Sequence, residues 1–136
     1  MDISISTFDD LLLAARQQPH AQRLLLVFAG ASLPQDASEA QRALFEAGES
    51  GELAPLMCVD KDPMALSGFD ALAAEAARAG PPWALVFAAA IGGTGRRPPA
   101  EAEVKAALER MVEAVRSGDL DRFIPFNRQG HAVRLG

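Results

Sequence analysis

Three stretches of this chain are apolar without alternation. They are Leu24, Leu25, Leu26, Val27 and Phe28; Leu56, Met57, Cys58 and Val59; and the run 83–91, which opens with Trp83 and ends with Ile91. A strand with water on one face alternates apolar and polar residues, whereas a strand covered on both faces needs no polar side. Each run therefore predicts a buried strand. The third is far shorter than the ~20 apolar residues that cross a bilayer as a helix.

The segments between these runs carry a helical period. Thr7 and Asp10 have the spacing of a capping box, and Phe8, Leu11, Leu12 and Ala15 follow on one face, which predicts a helix to about Gln17, stopped by Pro19. Ser38 and Gln41 repeat the pattern ahead of Leu44 and Phe45, and Gly48 ends that segment. Asp62 and Pro63 suit a helix start, with Leu66, Phe69, Leu72, Ala73 and Ala76 continuing to Gly80. A last helix opens near Pro99 and aligns Val104, Ala107, Leu108, Met111, Val112 and Val115 before Gly118.

The tail reads as a hairpin. Phe123, Ile124, Pro125 and Phe126 precede the turn residues Asn127, Arg128, Gln129 and Gly130, and the return segment places His131, Val133 and Leu135 on one face. Pro125 marks it as an edge strand. Helices alternating with continuous apolar strands predict a single α/β domain over residues 1–136. The expected architecture is a three-layer sandwich with a mostly parallel central sheet and a C-terminal antiparallel hairpin. An α+β fold with a mixed sheet is the alternative.

Composition narrows the partners. The chain is 49% hydrophobic and 23% charged, which is ordinary globular usage and argues against wholesale disorder. A net charge of −5 argues against sequence-independent nucleic-acid binding, which needs Lys and Arg to displace counterions from phosphates. The charge is uneven: residues 1–80 hold 12 acids and 5 bases, and residues 81–136 hold 6 acids and 8 bases. The second part can hold a small anion.

The single Cys58 forms no intrachain disulfide and supplies no cysteine-rich metal cage. With no basic n-region at the start, no secretory signal is expected. A cytoplasmic protein without membrane attachment follows as the expectation.

In open α/β sheets ligands bind beyond the carboxyl ends of the strands. Gly30 and Ala31, Asp60 and Lys61, and residues 92–97 occupy those positions. The last group, Gly92-Gly93-Thr94-Gly95-Arg96-Arg97, is the most suggestive, because glycines allow close approach and two guanidiniums can clamp phosphate or carboxylate. It has neither the Walker nor the dinucleotide spacing, and Pro98 and Pro99 remove two amide donors. Thr94, Arg96 and Arg97, with Asp60 and Lys61, are the candidate ligand-binding residues.

No catalytic set emerges. Cys58 lies within an apolar strand and reads as buried structure, no serine sits in a Gly-x-Ser-x-Gly elbow, and neither His20 nor His131 has partners at metal-ligand spacing. No cofactor and no metal are expected.

Residues 22–30 (Gln-Arg-Leu-Leu-Leu-Val-Phe-Ala-Gly), 55–61 (Pro-Leu-Met-Cys-Val-Asp-Lys) and 124–130 (Ile-Pro-Phe-Asn-Arg-Gln-Gly) resemble a family of small proteobacterial proteins. The likeness extends over nearly the whole chain. Its members often carry the label "ribonucleotide reductase subunit alpha". True large reductase subunits are several times longer and work with several cysteines. A lone Cys58 cannot supply both a thiyl radical and a reducing dithiol, so the resemblance implies a bacterial origin without bringing reductase activity. The expected function is a non-enzymatic binding or protein-interaction domain, assembling with itself or another protein through its edge hairpin or an apolar helix face. The alternative is an enzyme or sensor that binds a small phosphorylated or carboxylated molecule at the strand ends.

Overall fold

The capping box at the start of the chain organises the first helix. Asp10 N–H donates to Thr7 Oγ1 at 3.2 Å while Thr7 N–H donates back to Asp10 Oδ2 at 3.0 Å, and α1 runs Phe8–Arg16. The computed structural model describes residues 5–32, 39 and 52–134. The remaining elements are β1 (Gln22–Ser32), β2 (Glu52–Lys61), α2 (Phe69–Ala79), β3 (Leu85–Gly92), α3 (Glu101–Ser117) and β4 (Ile124–Phe126). Of the helix expected from Ser38 only residue 39 is described, as helix, and Leu135 of the expected hairpin lies outside the described residues.

The start of α2 differs from expectation. Asp62 does cap, but only a single turn, in which its Oδ1 accepts from Met64 N–H at 2.9 Å. The helix proper begins seven residues later, at Phe69, whose N–H donates to Asp9 Oδ1 of α1 at 2.9 Å. Arg16 fixes the intervening segment, its Nε donating to Pro63 O at 2.8 Å and its Nη2 to Leu66 O at 2.6 Å. The cap is tertiary, so local spacing placed it about two turns too early.

The four strands form one sheet in the order β2-β1-β3-β4, and every neighbouring pair is antiparallel. This overturns the mostly parallel sheet expected above: the fold is α+β. An apolar run reports that both faces of a strand are covered, and carries no information on its direction. The helix between β2 and β3 does join two strands of the same direction, since both run against β1. They are not neighbours, because β1 lies between them. Nor is the sheet mixed.

Successive residues of β1 point to opposite faces and build two separate cores. Leu24, Leu26 and Phe28 pack with α1, α2, Trp83, Val86 and Phe126. Aromatic edges knit this side together: Phe8 lies 5.7 Å from Phe69 and 5.6 Å from Phe126, and Phe28 lies 5.0 Å from Trp83. Leu25, Val27 and Ala29 face the other way, with Phe87, against Val104, Met111 and Val115 of α3.

The tail closes one edge of the sheet. Asn127 N–H donates to His131 O at 2.9 Å and Val133 N–H to Pro125 O at 3.0 Å, so residues 131–133 line the outer side of β4. Ala132 N–H then donates to Ser6 O, and Phe8 N–H to Gly130 O, both at 2.8 Å. The edge expected at the hairpin is thus covered along β4. Among the described residues the uncovered edge is β2, which carries Pro55 and a bulge where the register shifts opposite Phe28 and Ala29.

Candidate functional site

Register decides which sequence candidates meet. Gln22 pairs with Gly92 and Leu24 pairs with Lys61, so the carboxyl ends of β2 and β3 lie at the same end of the sheet as the start of β1. Asp60, Lys61, Thr94, Arg96 and Arg97 therefore share one end, while Gly30 and Ala31 lie at the other. Asp60 and Lys61 diverge, as adjacent strand residues must. Asp60 turns to the α3 side and takes the Arg23 Nε at 2.6 Å, whereas Lys61 Nζ lies 2.6 and 2.7 Å from the two carboxylate oxygens of Glu75 on α2.

The 94–97 segment is a tight turn. Thr94 N–H donates to Arg97 O at 3.1 Å and Arg97 N–H to Thr94 O at 3.0 Å. Gly95, at φ 60, occupies the first central position, where a hairpin turn of this type takes glycine. Its N–H donates to His20 Nδ1 at 3.1 Å, and its carbonyl accepts from Ala21 N–H at 3.1 Å. The amides of residues 94, 95 and 97 are thus engaged within the protein. The side chains of Thr94, Arg96 and Arg97 stand in solvent, and none of the ion pairs among the described residues uses either arginine.

Beside α3, on the side of β2, lies a groove of about 1010 Å³. α3 rests over β2 and β1, and the groove runs along its flank from Pro98 and Pro99 to Arg116. Val104, Leu108 and Val112 give it an apolar wall, β2 contributes Cys58 and Asp60, and Arg23 reaches in from β1. The rim carries both signs along the helix: Glu101, Lys105, Glu109, Glu113 and Arg116 all line it. Of these, Glu113 and Arg116 pair with each other at 2.6 Å, one turn apart on the exposed surface.

Cys58 corrects the sequence reading, because it is exposed in this groove and not buried. Its neighbours Met57 and Val59 pack into the aromatic core on the opposite face, so the apolar run 56–59 is covered on one side only. Asp60 alone of the five candidates lines the groove. Arg23 and the charged flank of α3 were not singled out from the sequence as site residues. The flank was visible there, as charges three and four residues apart from Glu101 to Arg116, but which strand it borders depends on the sheet order.

Among the described residues no three His, Cys, Asp or Glu side chains gather as metal ligands. Compared with known protein families, with curated proteins and with solved structures, the chain matches none.

Proposed function

We propose that this chain is a small cytoplasmic binding or protein-interaction domain, working by recognition and not by catalysis, whose contact surface is the groove between α3 and β2. Membership of the small proteobacterial family that its strand segments resemble is part of the same proposal. The observation that carries it is the groove itself. An apolar wall bounded by charges of both signs is the pattern of a protein contact, in which apolar groups give affinity and charges give register. It borders β2, a ten-residue edge strand among the described residues, where Pro55 and the bulge leave the segment from Met57 to Lys61 as the part free to take a partner. No described helix is long and apolar enough to cross a membrane.

Cys58 offers a direct test, since its thiol stands in the groove and is the chain's one cysteine. Alkylation with a bulky maleimide should leave the fold intact and block the capture of protein partners from a bacterial extract. Capture by the alkylated protein equal to that by the unmodified protein would move the recognition surface elsewhere.

A second reading keeps the small anion. The exposed guanidiniums of Arg96 and Arg97 favour it, with Thr94 beside them. A thermal-shift screen against nucleotides, sugar phosphates and small carboxylates should then show a rise in midpoint that disappears when Arg96→Ala and Arg97→Ala are combined, because a ligand that binds only the native state stabilises it.

A further inference from the structure

We propose that the occupant of the groove is a second copy of this chain, placed by a two-fold axis normal to the sheet beside β2, so that the two α3 helices lie antiparallel on the same face. The proposal rests on the reading of the groove as an interaction surface and names its partner.

Spacing permits the arrangement. Strands that meet edge to edge stand about 4.8 Å apart. Because α3 rests over both β2 and β1, a helix centred between them lies about 5 Å from such an axis, which brings the two α3 axes about 10 Å apart, a normal separation for packed helices. An axis normal to the sheet also makes the two β2 strands antiparallel, the direction in which all the other strand pairs run. Each groove is then filled by the flank of the other α3, with Leu108 and Val112 at the centre.

Charge supplies the specificity. Antiparallel helices related by a two-fold near Leu108 and Glu109 set Glu101 opposite Arg116 of the second copy. Lys105 falls opposite Glu113 of the second copy, with Glu109 adjoining. Every pairing occurs twice, as a self-complementary interface requires. Opposite signs therefore meet at both ends of the contact, while at the axis Leu108 meets its own copy and the two Glu109 carboxylates, the one like-charged pairing, come nearest each other. Among the described residues the open edge lies on this side, since residues 131–133 line the outer side of β4.

The test combines sedimentation of the full chain with charge exchange. The wild type should sediment as a dimer, and Cys58 alkylation should slow as protein concentration rises. Lys105→Glu places like charges opposite one another twice and should raise the dimer dissociation constant about tenfold or more. Combining it with Glu113→Lys should return most of the affinity, while circular dichroism stays unchanged throughout. A chain that remains monomeric at the highest concentration that stays in solution overturns the proposal. So does a dimer indifferent to Lys105→Glu, which would be built on another face. If the chain is monomeric yet alkylation of Cys58 still abolishes capture of a different protein, the interaction reading stands and the second copy falls. If neither assembly nor capture depends on the groove, both fall.

Discussion

Among the described residues the two faces of the sheet are covered unequally. A four-stranded sheet is roughly 15–20 Å wide and a helix with its side chains about 10 Å. Two helices, α1 and α2, cover one face, and there Phe8, Phe28, Leu72 and Phe126 are almost wholly out of solvent. On the other face the described residues supply one helix, α3. It buries Leu25 and Val27 but leaves Cys58 exposed. The groove runs along the part of that face beside α3. Aromatic packing thus marks one face and an accessible groove the other.

The sharpest way to break this comparison is to truncate one residue on each face. Phe8→Ala should lower stability by about 3–5 kcal/mol, the usual loss for a buried aromatic, whereas Val112→Ala on the groove wall should lose about 1 kcal/mol or less. Urea unfolding measures both. Equal losses would mean that the α3 face is as tightly held as the other.

Next in size is the close approach that seals the aromatic face. Gly130 has φ 81, and a Cβ built there would lie 2.8 Å from the Phe69 ring. Gly130→Ala should therefore destabilise by about 1–3 kcal/mol through left-handed strain and the clash, read as a fall in thermal midpoint. A neutral result would show that the tail is free to move away from α2.

The cap of α1 belongs to the same face and should weigh less. Thr7→Ala removes the acceptor for Asp10 N–H and should cost about 1 kcal/mol. Backbone N–H donation from Ser6 and then Thr7 holds the Asp10 carboxyl below its ordinary value of 3.8. A carboxylate with a lowered pKa in the folded state adds stability that is complete above the unfolded value and is lost as pH falls through the folded one. The urea midpoint should therefore drop on acidification below about pH 4 less steeply in Asp10→Asn than in the wild type. Parallel curves would remove Asp10 from the acid response.

The smallest effect belongs to the groove. Arg23 and Asp60 are 34% and 31% exposed, so Arg23→Ala should change stability by about 1 kcal/mol or less, with the difference shrinking in high salt. A larger, salt-independent loss in chemical unfolding would show that the ion pair supports the sheet.

Much of this organisation is legible in the residues. The Thr7 and Asp10 box, the stripe from Val104 to Val115 and the three apolar runs each announce an element through local chemistry, and each element is there. Cys58 was misread because an apolar run of four was taken as covered on both faces. In an edge strand, residues beyond the reach of the facing helix stay exposed whatever their polarity. Asp60 and Lys61 are candidates in the sequence, yet only the register shows that Asp60 meets Arg23 and Lys61 meets Glu75. Capping likewise crosses the chain, from Asp9 to Phe69, where no spacing rule reaches.

By itself, then, the sequence determined which segments become helices and strands and which residues are apolar enough to be buried, because those outcomes depend on periodicity, caps and turn residues within a few positions of one another. Only the tertiary structure decided that the strands run antiparallel in the order β2-β1-β3-β4, that the tail covers the β4 edge, and that α3 leaves a groove beside β2. Those outcomes depend on which elements meet across the sheet. Strand direction and neighbour order are properties of pairing between distant segments, and a strand buried on both faces has the same composition whichever way its neighbour runs.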